Sequence, residues 1–237
     1  PDFSPGEWET EIPDFEMGSS DYVLLVWNDL GMHCISDNES YFSFLPPANT
    51  LNAQLIKRGA KPEVIQSGAV LTYHVQEGYE NPENHSRFWK YDETIYGVDL
   101  SAGTGLAGKT VRDTMENQGH IYAAHMIPVM PYRDDKRYNP YPVFTIEARD
   151  ASSDALLVST KAVAPTSTEM GCRNCHEGGW AWNGVSGMSD LTAENILATH
   201  DRYEETTLLE DARSGNPALC QSCPGDPAVM SPGADHI

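Results

Sequence analysis

The densest chemistry in the chain lies in five consecutive residues, Cys172-Arg173-Asn174-Cys175-His176. Two cysteines three apart, followed at once by histidine, form the attachment pattern of a c-type haem. The spacing follows from the chemistry. Two thiols add across the two vinyl groups of one porphyrin, and the next residue then lies under the iron, where an imidazole becomes the proximal ligand. Shuffling this composition would produce the pattern only about 0.004 times per chain. Two other readings compete, a redox dithiol and one half of a zinc site. Thioredoxin-like dithiols follow a strand in a βαβ unit, and no such alternation is visible around Cys172.

A second pair, Cys220-Gln221-Ser222-Cys223, repeats the spacing, but Pro224 stands where the first pair has histidine. Proline offers no ligand, so a haem attached there must draw its iron ligands from elsewhere. A disulfide, favoured by an oxidising compartment, is the competing reading. A zinc site built from all four cysteines fits less well. The 44 residues between Cys175 and Cys220 exceed a zinc-ribbon gap, and His176 would have no purpose. Cys34 is isolated and reads as a small buried hydrophobe. Among the histidines, His200 and then His33 are the candidates for the iron's far side. His33 lies in Met32-His33-Cys34, three potential ligands in a row, although a packed turn explains it as well. His74 reads as a half-buried strand residue and His85 as exposed.

These residues need elements to position them. Asp21–Asn28 is the clearest strand, apolar throughout and expected to be central and buried. Tyr41–Leu45 reads as a short strand. Leu51, Leu55 and Ile56 suggest a short helix over 51–58, closed by Gly59. Strands follow at Val64-Ile65 and 69–76. Residues 77–119, rich in Gly, Asn, Pro and acids, read as a long loop with aromatic anchors at Phe88, Trp89 and Tyr91. Ile121–Tyr132 reads as an irregular edge strand. Two β-rich runs, 142–148 and 155–160, flank a polar turn and predict a hairpin.

The composition shifts at Pro165. The strongest helix signal follows the haem motif: Thr192 as N-cap, Glu194 in the first turn, Leu191 stapled to Ile196. Ile196 and His200 share a face of that helix, so packing against a porphyrin would bring His200 to the iron from the distal side. The expected fold is therefore mainly β with some α. An extended arm over 1–20 precedes an antiparallel, sandwich-like domain over 21–164, and a small, loop-rich and helical haem-binding region occupies 165–237. Trp180 and Trp182 could cover a porphyrin edge.

The net charge of −20, with 15 basic against 35 acidic residues spread along the chain, argues against nucleic acid and anionic membranes. It favours a basic docking partner or solubility alone. The longest apolar run, Tyr22–Trp27, is far too short to span a bilayer. The start at Pro1, without initiator methionine or signal peptide, fits a processed mature form or an excised fragment. Haem attachment to such a motif is normally an extracytoplasmic reaction, so a periplasmic or extracellular location is expected.

Several stretches resemble a group of exported bacterial multihaem c-type cytochromes. They are Asn28–Cys34, Leu45–Leu55, Asn139–Pro142, Glu169–His176 and Leu219–Cys223. The resemblance covers most of residues 21–230. It implies a β-rich N-terminal part, a haem-binding part and extracytoplasmic electron transfer. Members of the group generally carry histidine after the second CxxC, so Pro224 is a departure. They also tend to continue beyond the position of Ile237, as a truncated chain would explain.

Together these features predict an electron carrier. Haem c would be linked to Cys172 and Cys175 with His176 proximal and His200, then His33, distal, and Cys220 and Cys223 would be a second attachment site or a disulfide. Redox proteins, other cytochromes or copies of itself would be the partners. A haem enzyme of peroxidase or oxyanion-reductase type, with an open sixth site, is the first rival. A cytochrome polymer with ligands shared between chains is the second.

Overall fold

The computed structural model describes residues 13–16, 18–36, 38–168, 172–180 and 186–222. Its strands are β1 (Tyr22–Asn28), β2 (His33–Cys34), β3 (Phe42–Ser43), β4 (Asn49–Lys57), β5 (Glu63–Val64), β6 (Ala69–Val75) and β7 (Arg112–Thr114). They continue with β8 (Glu116–Asn117), β9 (Tyr122–Ile127), β10 (Val143–Asp150), β11 (Leu156–Val163), β12 (Thr166–Ser167) and β13 (Ala218–Leu219). The helices are α1 (Phe88–Tyr96), α2 (Asp190–Glu204) and α3 (Leu208–Arg213). The protein is mainly β with some α.

The chain divides into two compact units. One takes the residues up to His33 with Ala48–Glu80 and Thr104–Thr166, and the other takes Cys34–Pro47, Asn81–Gly103 and the residues from Ser167 on. The last passage, at 166/167, falls beside the composition shift at Pro165. The two earlier segments of the second unit had no signal in the sequence, because a chain can leave a sheet and return wherever a surface loop allows it.

The first unit holds two antiparallel sheets, β1-β4-β9-β8 with β5 on β4, and β11-β10-β6-β7. Their inner faces form one core: Leu24, Leu51, Ala53 and Leu55 from the first sheet meet Leu71, Tyr73, Val75, Phe144 and Ile146 from the second. The hairpin β10–β11 and the strand β6 lie where their patterns predict. His74 is half-buried in β6.

Three expectations are corrected here. Residues 51–57 are strand, not helix: Leu51, Ala53 and Leu55 are fully buried at the strand period of two, and β4 is hydrogen-bonded on both sides. Second, β1 is an edge strand of its sheet. It pairs with β4 on one side and lies against β11 on the other, while Leu25 and Trp27 remain 47% and 40% exposed on the outer face. Third, β9 lies inside the sheet, between β4 and the two-residue β8. It is irregular as expected, with a register shift opposite Asn49/Leu51 and Met126 at φ 54°.

The second unit is small and helical. A parallel two-residue pair, β3 with β13, and the helices α2 and α3 close over Phe42, Ala193, Leu197 and Ala212. The run 77–119 is not one loop. It contains a 3₁₀ turn at Pro82–Asn84, α1, β7 and β8. Helix α1 gathers the aromatic anchors and ends on Gly97 at φ 70°, the left-handed closing residue that glycine allows. His85 is 0% exposed, contrary to expectation, with its Nδ1 3.2 Å from Ser186 Oγ.

Candidate haem attachment site

Residues Cys172–Asn174 form a 3₁₀ turn. The carbonyl of Cys172 accepts from the backbone N–H of Cys175 at 3.1 Å and of His176 at 3.0 Å. Helical spacing of three and four residues puts Cys172, Cys175 and His176 on one side of the turn. The Cys175 thiol is free and exposed, so this pair is not a disulfide. A porphyrin needs two thiols and an imidazole within one short segment, and this turn carries all three residues.

The imidazole is held from behind. His176 Nδ1 lies 2.9 Å from Asn195 Oδ1 on α2. A carbonyl oxygen only accepts, so the proton belongs on Nδ1 and the lone pair on Nε2, the tautomer a metal ligand needs. Past the histidine, the chain turns back along the start of α2. Ser189 N–H donates to Gly179 O at 3.0 Å, Gly179 N–H donates to Ser189 Oγ at 3.3 Å, and Trp180 bridges Met188. Ser189 also accepts from Thr192 N–H at 3.2 Å, so Ser189 is the N-cap in place of the expected Thr192. Leu191 is 56% exposed and staples nothing. The Arg173 guanidinium stacks over the Trp180 ring at 3.8 Å. Trp182 lies outside the described residues.

Helix α2 is itself anchored at two points. Asp190 accepts from Arg87 Nη1 at 3.1 Å and from Asn38 Nδ2 at 3.0 Å. Glu194 accepts from Tyr41 OH at 2.8 Å and from Arg213 Nη2 at 2.7 Å. Arg213 holds the Glu194 carboxyl below the usual carboxylate range, whereas burial and then Glu194 push Tyr41 up to about 12. Beneath the first anchor lies Glu39, 0% exposed. It accepts from Ser86 Oγ at 2.8 Å and from the Arg87 backbone N–H at 3.0 Å. Burial outweighs these bonds and pushes its carboxyl up to about 7.

The other candidate residues lie on other elements. His200 is exposed and leaves α2 about 140° around from Asn195. Thr206 Oγ1 donates to Asp201 Oδ1 at 2.7 Å and therefore accepts from His200 Nδ1 at 2.9 Å, which leaves His200 Nε2 bearing the lone pair. His33 belongs to the first unit, half-buried in β2. Its backbone N–H donates to Pro165 O at 3.2 Å, and its carbonyl accepts from Thr166 Oγ1 at 3.1 Å. Pro165 O also accepts from Asn49 Nδ2 at 2.6 Å, and Asn49 pairs with Asn28, so parts of the 28–34 and 45–55 stretches meet here. Cys220, in the 3₁₀ turn Cys220–Ser222, packs against the Phe42–Leu197 cluster. Cys223 and Pro224 lie outside the described residues. Among the described residues no three His, Cys, Asp or Glu side chains gather as a metal-ion site, where a closed zinc centre needs four ligands. A haem needs only the thiols and one imidazole from this turn, and these fit.

Sequence reasoning missed Asn195, Gly178, Glu39 and Arg87. Nothing in the spacing of 19 residues between His176 and Asn195 marks them as partners. The isosteric Asn195→Leu variant removes the acceptor and frees the His176 ring. The expected result is about 10- to 100-fold weaker ligation by His176, read as easier displacement by added imidazole. Unchanged displacement would remove Asn195 from the site.

Compared with known proteins, the chain matches no family model, no curated protein and no solved structure.

Proposed function

We propose that the protein is a c-type cytochrome that carries electrons outside the cytoplasm. The observation that supports this best is the Cys172–His176 turn with His176 Nδ1 held by Asn195. The resemblance to exported multihaem cytochromes points the same way. The iron of a bound haem supplies one-electron chemistry. The chain's residues do the rest: Cys172 and Cys175 hold the porphyrin covalently, His176 ligates, and Asn195 keeps its proton on Nδ1. His200, with Nε2 exposed and Nδ1 engaged by Thr206, is the proposed sixth ligand, with His33 second. Redox proteins, other cytochromes or copies of the chain are the proposed partners. No helix among the described residues is long and apolar enough to cross a membrane.

The wide angle between Asn195 and His200 around α2 favours a second reading. If His200 does not close the iron, the sixth position is open and a haem enzyme of peroxidase or oxyanion-reductase type results.

Intact mass, a pyridine haemochrome assay for haem content and the absorption spectrum of the native, natively matured protein test the proposal. The carrier reading expects at least one haem mass, a six-coordinate low-spin spectrum, and loss of one thioether link in Cys175→Ser. A five-coordinate, ligand-binding spectrum selects the enzyme. A second haem mass assigns Cys220 and Cys223 as an attachment site despite Pro224. Protein without haem overturns the proposal.

A further inference from the structure

The second unit contains a buried carboxyl that the attachment site does not use. Glu39 is wholly enclosed and is reached by two groups of one other segment, Ser86 Oγ and the Arg87 backbone N–H, on one carboxylate oxygen each. Buried carboxyls with no counter-charge in direct contact are uncommon, and perturbed ones cluster at functional sites. Arg87 is the nearest cation, but its guanidinium is turned to other acceptors: Asn38 Oδ1 at 3.2 Å, Ser40 Oγ and Asp190 Oδ1 at 3.1 Å. Asp190 opens α2, and one turn later Asn195 of the same helix holds His176. A short line of bonded groups therefore runs from Glu39 through Arg87 and Asp190 to the helix that orients the proximal histidine.

We infer that Glu39 is a proton site coupled to the electron site, so that the protein takes up a proton when it takes up an electron. This rests on the haem reading above. One electron arrives from the redox partner and one proton from bulk water. With a haem held by Cys172, Cys175 and His176, the electron would enter at that group and the Glu39 carboxylate would gain the proton, so the net charge of the unit would be unchanged. A charge held inside a low-dielectric unit acts over longer distances than one on the surface. The carboxylate favours the oxidised iron, and the neutral acid favours the reduced iron.

Other groups facing Glu39 set its background without competing for the role. The Arg87 guanidinium is bonded to Asp190. Tyr96, on α1, is pushed up to about 12, first by burial, and its hydroxyl is engaged with Ser43 at 2.7 Å. His85, next to Ser86, is turned to Ser186. Burial raises the Glu39 carboxyl to about 7, so its charge changes between about pH 6 and 8.

The test is the midpoint potential of the natively matured protein against pH, by spectroelectrochemistry, after haem content has been confirmed. In the wild type the potential is expected to fall as pH rises from about 6 to 8. The limit is a tenfold change in the reduced-to-oxidised ratio per pH unit, about 59 mV for a one-electron couple. Glu39→Gln is expected to flatten this dependence at the high-potential end. Ser86→Ala removes a bond to the carboxylate and is expected to move the slope to higher pH, which keeps the test open if Glu39→Gln folds poorly. An infrared redox difference spectrum is expected to show a protonated carboxyl in the reduced wild type and none in Glu39→Gln. A pH-independent wild-type potential, or a slope that both variants leave in place, overturns the inference. Protein without haem overturns instead the reading on which it rests.

Discussion

Gly178→Ala is expected to destabilise the second unit by about 3 kcal/mol and to abolish efficient haem attachment. Gly178 stands two residues after His176 at φ +107°, where L side chains rarely go. An added Cβ would also lie 2.6 Å from Ser189 Oγ and 2.7 Å from the backbone nitrogen of Thr192, and closer still to Thr192 Oγ1. The hydroxyls could rotate away, but the nitrogen is part of the first turn of α2 and moves only with the helix. The backbone at 178 would have to leave the helix instead. It would take with it the bonds between Gly179 and Ser189 and draw His176 off Asn195. Urea unfolding gives the stability, and the haem-to-protein ratio after maturation gives the attachment. Gly179, with open space around its own Cβ direction, is the control: Gly179→Ala is expected to change both far less. Equal effects at the two positions would remove the steric argument.

Glu39→Gln is expected to stabilise the protein at neutral pH and to remove a pH dependence that the wild type shows. The carboxyl titrates at about 7 when folded, against an ordinary value of 4.5. Below 4.5 both states hold the proton, and the group makes no difference between them. Between 4.5 and 7 the folded state keeps a proton that the unfolded chain has lost, so stability falls as pH rises. Above 7 both are ionised and the loss is complete, on the order of 3 kcal/mol. Glutamine is neutral throughout: its carbonyl oxygen can accept from the Arg87 backbone N–H, and its amide N–H can donate to Ser86 Oγ. Urea unfolding at pH 5 and pH 8 separates the cases: the wild type is expected to be weaker at pH 8, and the variant nearly level. Parallel pH profiles would mean that Glu39 is not the group responsible.

The hairpin β10–β11 and the strand β6 were readable because period-two patterning and a polar turn are local. The 51–57 stretch was not. Leu51 and Leu55 satisfy the helical spacing of four and the strand spacing of two equally well, and only its pairing with β1 and β9 decides between them. His85 was misread for a similar reason. Its neighbours Asn81, Pro82 and Asn84 are turn-formers, but the ring is fully buried, with its Nδ1 3.2 Å from Ser186 Oγ. The apolar run of β1 suggested a central strand, yet edge position depends on which partners arrive, and none of them is encoded in residues 21–28.

By itself, the sequence determined the pattern on which the proposed attachment rests, because Cys172, Cys175 and His176 fall within a single turn. It also determined the mainly β character, which follows from side-chain period. The tertiary structure alone decided what stands behind that chemistry. Asn195 meets His176 across 19 residues, and Glu39, Arg87 and Asp190 assemble from three separate segments. Hydrogen bonds between such distant residues form only after packing has brought their segments together, so no local pattern announces them.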